Sequence, residues 1–177
     1  MLRLLRGIGL GVVLAIAAPA AADAPSVEHV RSLLSAFEGA PSAETWTAMG
    51  PETVAVLEQL YDDEGEQPFV RLRAIETAGH YATEECHAFL RRVASRQGEL
   101  DLRVRAAVRS LGKAFGAAAI EEIRPFLGHR ATVVREGAAL ALGAIATPRA
   151  RELLRTRLDR ERDDAVRTTL RRALNRP

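Results

Sequence analysis

Four ten-residue segments of this 177-residue chain align without gaps: VRLRAIETAG from Val70, RVRAAVRSLG from Arg103, VREGAALALG from Val134 and VRTTLRRALN from Val166. Their last residues, Gly79, Gly112, Gly143 and Asn175, recur at intervals of 33, 31 and 32 residues. So constant a period marks each unit as a copy of one supersecondary element, which restricts the fold to stacked repeats. Within the segment, the columns Ala74/Ala107/Ala138/Leu170 and Ala78/Leu111/Leu142/Leu174 lie four residues apart and share one helix face. The closing glycine or asparagine is expected just past the helix C-terminus, in the left-handed conformation that suits those residues.

A second helix is predicted after each first one, because the columns Cys86/Ala119/Ala150, Leu90/Ile123/Leu154 and Ala94/Leu127/Leu158 repeat with the same increments. Thr83 and Thr147 stand where N-caps belong, with Glu84 and Glu85 in one first turn and Pro148 at a first helical position. Polar links such as SRQGEL, GHRA and DRERDD part successive units. Upstream, VRSLLSAFEG from Val30 matches the frame as a degenerate cap, with Glu38 in an otherwise apolar column. An insertion near PSAETWTAMGPE follows, where Trp46 is expected to seal the open end of the core.

The pattern V-R-x-x-A-x-x-x-L-G followed by a second amphipathic helix resembles the HEAT repeats, in the short variety also seen in phycobilisome-lyase-like proteins. The resemblance covers residues 66–177 and implies an all-α fold, a right-handed α-α superhelix of helical hairpins. Residues 23–65 then form N-terminal capping helices with an insertion. Three departures stand out: Arg103 and Val104 exchange the usual valine and arginine, and Asn175 replaces glycine. In the family, the arginine after the valine, here Arg71, Arg135 and Arg167, belongs to a structural ladder between repeats, and second helices line the concave surface. On that basis Arg91, Arg124 and Arg155, each one residue past an apolar column of a second helix, are the candidate binding residues. A row of guanidinium groups there would hold carboxylates or phosphates.

No catalytic, metal or cofactor site is expected. His80, Glu84, Cys86 and His87 are close in sequence, but a helix ends at Gly79, so His80 and His87 share no continuous helical face. Cys86 occupies a column filled by alanine in the next two repeats, which marks it as a small core residue. HEAT-type dimetal hydroxylases carry His-Glu dipeptides as ligands, and this sequence has none. Nucleophile-elbow, phosphate-loop and H-E-x-x-H motifs are also missing.

The N-terminus reads MLRLLR, then GIGLGVVLAIAA, then PAAADA, the layout of a secretory signal peptide over residues 1–22 with cleavage after Ala22. A periplasmic or secreted location is therefore expected, with no stable membrane insertion afterwards and no nucleic-acid partner. Removing two arginines with this leader cancels the net charge of +2. The remaining charge is polar along the chain: residues 23–67 hold ten acids against Arg31, while residues 68–177 carry a surplus of bases. Solvated helix faces account for this, and so does steering of an acidic partner or head-to-tail self-association. The expected function is a protein-binding scaffold without catalysis. A lyase-like or enzyme-accessory protein holding a small molecule in the groove is the alternative.

Overall fold

A computed structural model describes residues 24–36 and 41–176. The expected leader, together with Glu38 and Gly39 of the degenerate repeat, lies outside the described residues. Among the described residues ten α-helices follow one another: α1 Val27–Ser35, α2 Ala43–Ala48, α3 Thr53–Asp62, α4 Pro68–Ala78, α5 Glu84–Ser95, α6 Asp101–Phe115, α7 Ile120–Ile123, α8 Thr132–Ile145, α9 Pro148–Leu158 and α10 Asp164–Leu174. They form an all-α solenoid.

Local sequence sets these boundaries. The Thr83 hydroxyl accepts from the Cys86 N–H and the Thr147 hydroxyl from the Ala150 N–H, both at 3.2 Å, while Pro148 needs no donor in the first turn. Asp163 caps α10 through the Ala165 and Val166 amides. The second helix of the third unit is not continuous. Residues 116–119 and 124–128 are 3-10 turns on either side of α7, because Pro125 has no N–H to donate and Gly116 turns the chain at φ 53°. Ala119, Ile123 and Leu127 are buried all the same, so the column survives where the regular helix does not.

The glycine column does different work from that expected. Gly79 follows α4 with φ −61°, and Gly112 and Gly143 lie inside α6 and α8, which run on to Phe115 and Ile145. A Cβ on Gly112 would sit 2.9 Å from the Ala141 Cβ, and one on Gly143 would sit 2.6 Å from the Ala173 Cβ. These glycines let neighbouring helices touch backbone to backbone. The left-handed residue that ends α8 is Ala146, at φ 55°.

Two layers result. Helices α4, α6, α8 and α10 stack directly on one another, with α1 against α4, and the second layer holds α3, α5, the 116–128 segment and α9. The alanine and leucine columns fill the space between, Ala74, Ala107, Ala138 and Leu170 being fully buried. Trp46 is buried in the N-terminal cap, where the Tyr81 hydroxyl donates to its carbonyl at 2.6 Å.

The second layer is splayed. One cleft opens between α3 and α5, and another, of about 220 Å³, lies between α5 and the 116–128 segment and reaches down to Leu111 of the first layer. Tight spacing in one layer and clefts in the other bend the stack towards the tight side. The concave surface is therefore made by the first helices, which corrects the expectation that second helices line it.

Candidate groove on the inner helices

On α6 the residues Leu102, Ala106, Arg109 and Lys113 fall at spacings of four, three and four, which places them on one face. That face looks into a groove of about 340 Å³, walled by Glu76 of α4, by Arg109, Ser110 and Lys113 of α6, by Leu140, Ala141 and Ala144 of α8, and by Arg176 beyond α10. One cavity touched by residues from four successive repeats is what inward curvature produces. Two neighbouring depressions continue it. The first, of about 270 Å³, adds Leu33, Leu34, Trp46, Arg73 and His80, and the second adds Leu72, Leu102 and Arg105. Glu76 borders all three and is the one acid in the lining, set against Arg73, Arg105, Arg109, Lys113 and Arg176.

These bases are not equivalent. Arg73 donates to the Leu34 and Ala36 carbonyls at 2.6 and 2.8 Å, which ties the end of α1 to α4. Arg105 runs its aliphatic stem beneath Gly137, where a Cβ would fall 2.7 Å from the Arg105 Cγ, and its buried Nε has no hydrogen-bond partner. Lys113 Nζ lies 2.7 Å from His80 Nε2. Burial pushes the His80 pKa down, and the Lys113 charge pushes it further. Burial likewise lowers the Lys113 pKa; Arg109 adds to the effect and Glu76 opposes it. Among the described residues no ion pair joins Arg105, Arg109 or Lys113 to a carboxylate.

The sequence-based candidates sit elsewhere. Arg91 is on α5, Arg124 opens the 3-10 turn after α7 and Arg155 is on α9, all in the outer layer. They are exposed and do not border the groove. Arg91 pairs with Glu122 at 3.4 Å and Arg124 with Glu121 at 2.9 Å, while Arg155 has no ion pair among the described residues. Arg71, Arg135 and Arg167 hold the links between units: Arg71 donates to the Tyr61 carbonyl, Arg135 to Glu161 and the His129 and Arg130 carbonyls, and Arg167 to the Leu158 and Glu161 carbonyls.

The sequence did hold a signal for the groove. His80/Lys113/Ala144/Arg176 and Glu76/Arg109/Leu140/Arg172 are repeat columns with the same 33, 31 and 32 increments as the glycines. Both helices of a unit share that period, so the columns do not by themselves say which layer faces inward.

The histidines and Cys86 turn to separate partners. His80 meets Lys113, His87 Nε2 lies 2.9 Å from Glu122 Oε1, and the Cys86 thiol donates to the Ala78 carbonyl. Burial pushes the Cys86 pKa up to about 12, which leaves it a core side chain rather than a nucleophile.

Comparison with known proteins bears on both fold and function. The family profile described as HEAT repeats matches residues 88–175. The structure of human deoxyhypusine hydroxylase in complex with glycerol superposes with a TM-score of 0.56 at 27% identity, over 69% of this chain and 42% of the enzyme. The chain thus spans less than half the length of that enzyme. No curated protein sequence matches the chain. The expectation of a scaffold without catalysis is corrected by this likeness, since a related repeat stack forms part of an enzyme. A dimetal centre does not fit the residues present: the sequence lacks His-Glu dipeptides, and among the described residues no three His, Cys, Asp or Glu side chains gather as ligands.

Proposed function

This chain belongs to the HEAT-repeat proteins, and from that premise we propose that its inner groove binds an acidic segment of another protein. HEAT repeats serve protein–protein interaction, and a stack of them presents an extended surface. The observation that carries the reading is the charge of the groove, where five basic side chains face the single acid Glu76. Of these, Arg109, Lys113 and Arg176 are exposed and have no ion pair among the described residues, and clustered cations of this kind favour an anionic occupant. The apolar positions Leu72, Leu102 and Leu140 along the same face supply surface for burial, Leu102 being 53% exposed.

The test is binding of a hexaglutamate peptide, followed by fluorescence anisotropy. Replacing Arg109 and Arg176 together by glutamine is expected to weaken binding about tenfold, since both line the groove and each lost contact of this kind is worth ~0.5–1 kcal/mol. The Arg91/Arg124/Arg155→Gln triple variant is expected to bind as the parent does. Added salt weakens the parent, because charges are screened within ~8 Å at physiological ionic strength. Loss of binding in the outer-layer variant alone returns the site to the second helices.

The likeness to human deoxyhypusine hydroxylase favours a second reading, in which the chain holds the segment on which an enzyme acts. Turnover of the bound segment by the chain or by a co-purifying subunit would support it. We also propose export to the periplasm or beyond, on the strength of the leader layout. Asp23 is then the first residue of the mature chain, which N-terminal sequencing of the purified protein checks. No helix of the described residues is long and apolar enough to cross a membrane.

A further inference from the structure

Lys113 and Glu76 border both the main groove and the 270 Å³ depression beside it, so the Lys113–His80 contact stands where the two join. At 2.7 Å, Lys113 Nζ donates to His80 Nε2, which leaves the imidazole neutral with its proton on Nδ1. Two of the three ammonium protons have no acceptor among the described residues. Lys113 is also the one lysine among 25 basic residues. An ammonium can turn its protons between a histidine and a ligand, whereas a planar guanidinium is committed to one direction.

The charged and titratable groups that face the pair are few. From α4 come Glu76 and Arg73, the latter tied to backbone carbonyls; from α6 comes Arg109, one helical turn from Lys113; from beyond α10 comes Arg176. Lys113, Arg109 and Arg176 against one carboxylate leave the junction short of negative charge.

We propose that Lys113 and His80 form a carboxylate-binding subsite, in which an acidic side chain of the partner accepts hydrogen bonds from the Lys113 ammonium, and His80, released from its contact with Lys113, gains a proton from solvent and becomes a second donor. This rests on the groove being the site for an acidic segment, and it adds which side chains grip it and how binding answers to pH. The proton taken up comes from solvent and no covalent bond changes. The ligand stays ionised down to pH ~5, since a free glutamate side chain titrates near 4.3. Affinity therefore rises as pH falls through the histidine range. The free protein already holds His80 below its ordinary pKa through burial and the Lys113 charge, and a bound carboxylate reverses that balance.

Hexaglutamate binding measured at pH 7.5 and 5.5, in the parent and in His80→Gln and Lys113→Gln, tests the subsite. The parent is expected to bind several-fold more tightly at the lower pH, a one-unit rise of the His80 pKa in the complex setting a ceiling of about tenfold. His80→Gln should flatten that dependence, and Lys113→Gln should weaken binding at both values. Proton NMR of the His80 ring supplies a readout that needs no ligand: Lys113→Gln should raise its pKa in the free protein. Equal pH dependence in the parent and His80→Gln overturns the subsite while leaving the groove reading intact. Absence of hexaglutamate binding at either pH overturns both.

Discussion

Glu161 shows how much of this fold is held at single residues. Its carboxylate, with the side chain 3% exposed, accepts from Arg135, from Arg157 and from the N–H groups of Arg162 and Asp163 in the link before α10. Burial alone would push its pKa up, but the Arg157, Asp163 and Arg135 donors hold it at about 2. The ionised form belongs to the folded state. Its contribution to stability is complete above the unfolded pKa of about 4.5 and is lost as pH falls towards 2. Glu161→Gln should cost about 2–3 kcal/mol at pH 7, because two half-buried guanidinium groups lose their buried counter-charge. Denaturant titrations at pH 7 and pH 2.5 should show the gap between parent and variant shrinking on the acid side. The repeat pattern marks Arg135 as structural, but its partner Glu161 is hidden in DRERDD, where composition reads only as a polar link.

At the scale of the helix, the repeat columns carried the buried positions faithfully and the helix ends poorly. Gly112 and Gly143 look like stop signals, because glycine serves both to end a helix and to let two helices touch. Which use applies depends on the neighbouring repeat, and a single segment does not contain that information. Opposite substitutions separate the two uses. Gly143→Ala places a methyl group 2.6 Å from the Ala173 Cβ and 2.9 Å from its Cα, and overpacking of this kind should destabilise by ~1–3 kcal/mol. Ala146→Gly removes a left-handed alanine at φ 55° and should stabilise by ~0.5–1 kcal/mol. Thermal unfolding of both variants gives the signs directly; stabilisation by Gly143→Ala would restore the terminator role. The discontinuity at 116–128 was readable in principle, since Pro125 lies within the expected helix.

For the molecule as a whole, period and layer count were legible in the sequence, and the direction of curvature was not. Both helices of a hairpin repeat with the same interval, so periodicity is blind to which layer lies inside. Curvature follows from a difference in spacing between layers, set here by Gly112 on Ala141 and Gly143 on Ala173 in one layer and by open clefts in the other. Arg91, Arg124 and Arg155 therefore lie on the outer layer, while Arg109 and Lys113 face the groove.

The irregular stretch between Gly116 and Gly128 carries a mechanical consequence. Only α7, Ile120–Ile123, keeps α-helical geometry there, flanked by 3-10 turns and bordered by the cleft beside α5. Directly beneath, α6 and α8 are locked at backbone contact distance. Bending stiffness is thus one-sided: a stiff spine beneath a compliant back. Backbone amides of 116–128 should exchange with deuterium well before those of α6 and α8. Compression of the back against that spine would spread the groove without breaking a helix, so the gap between its walls can adjust to segments of different girth.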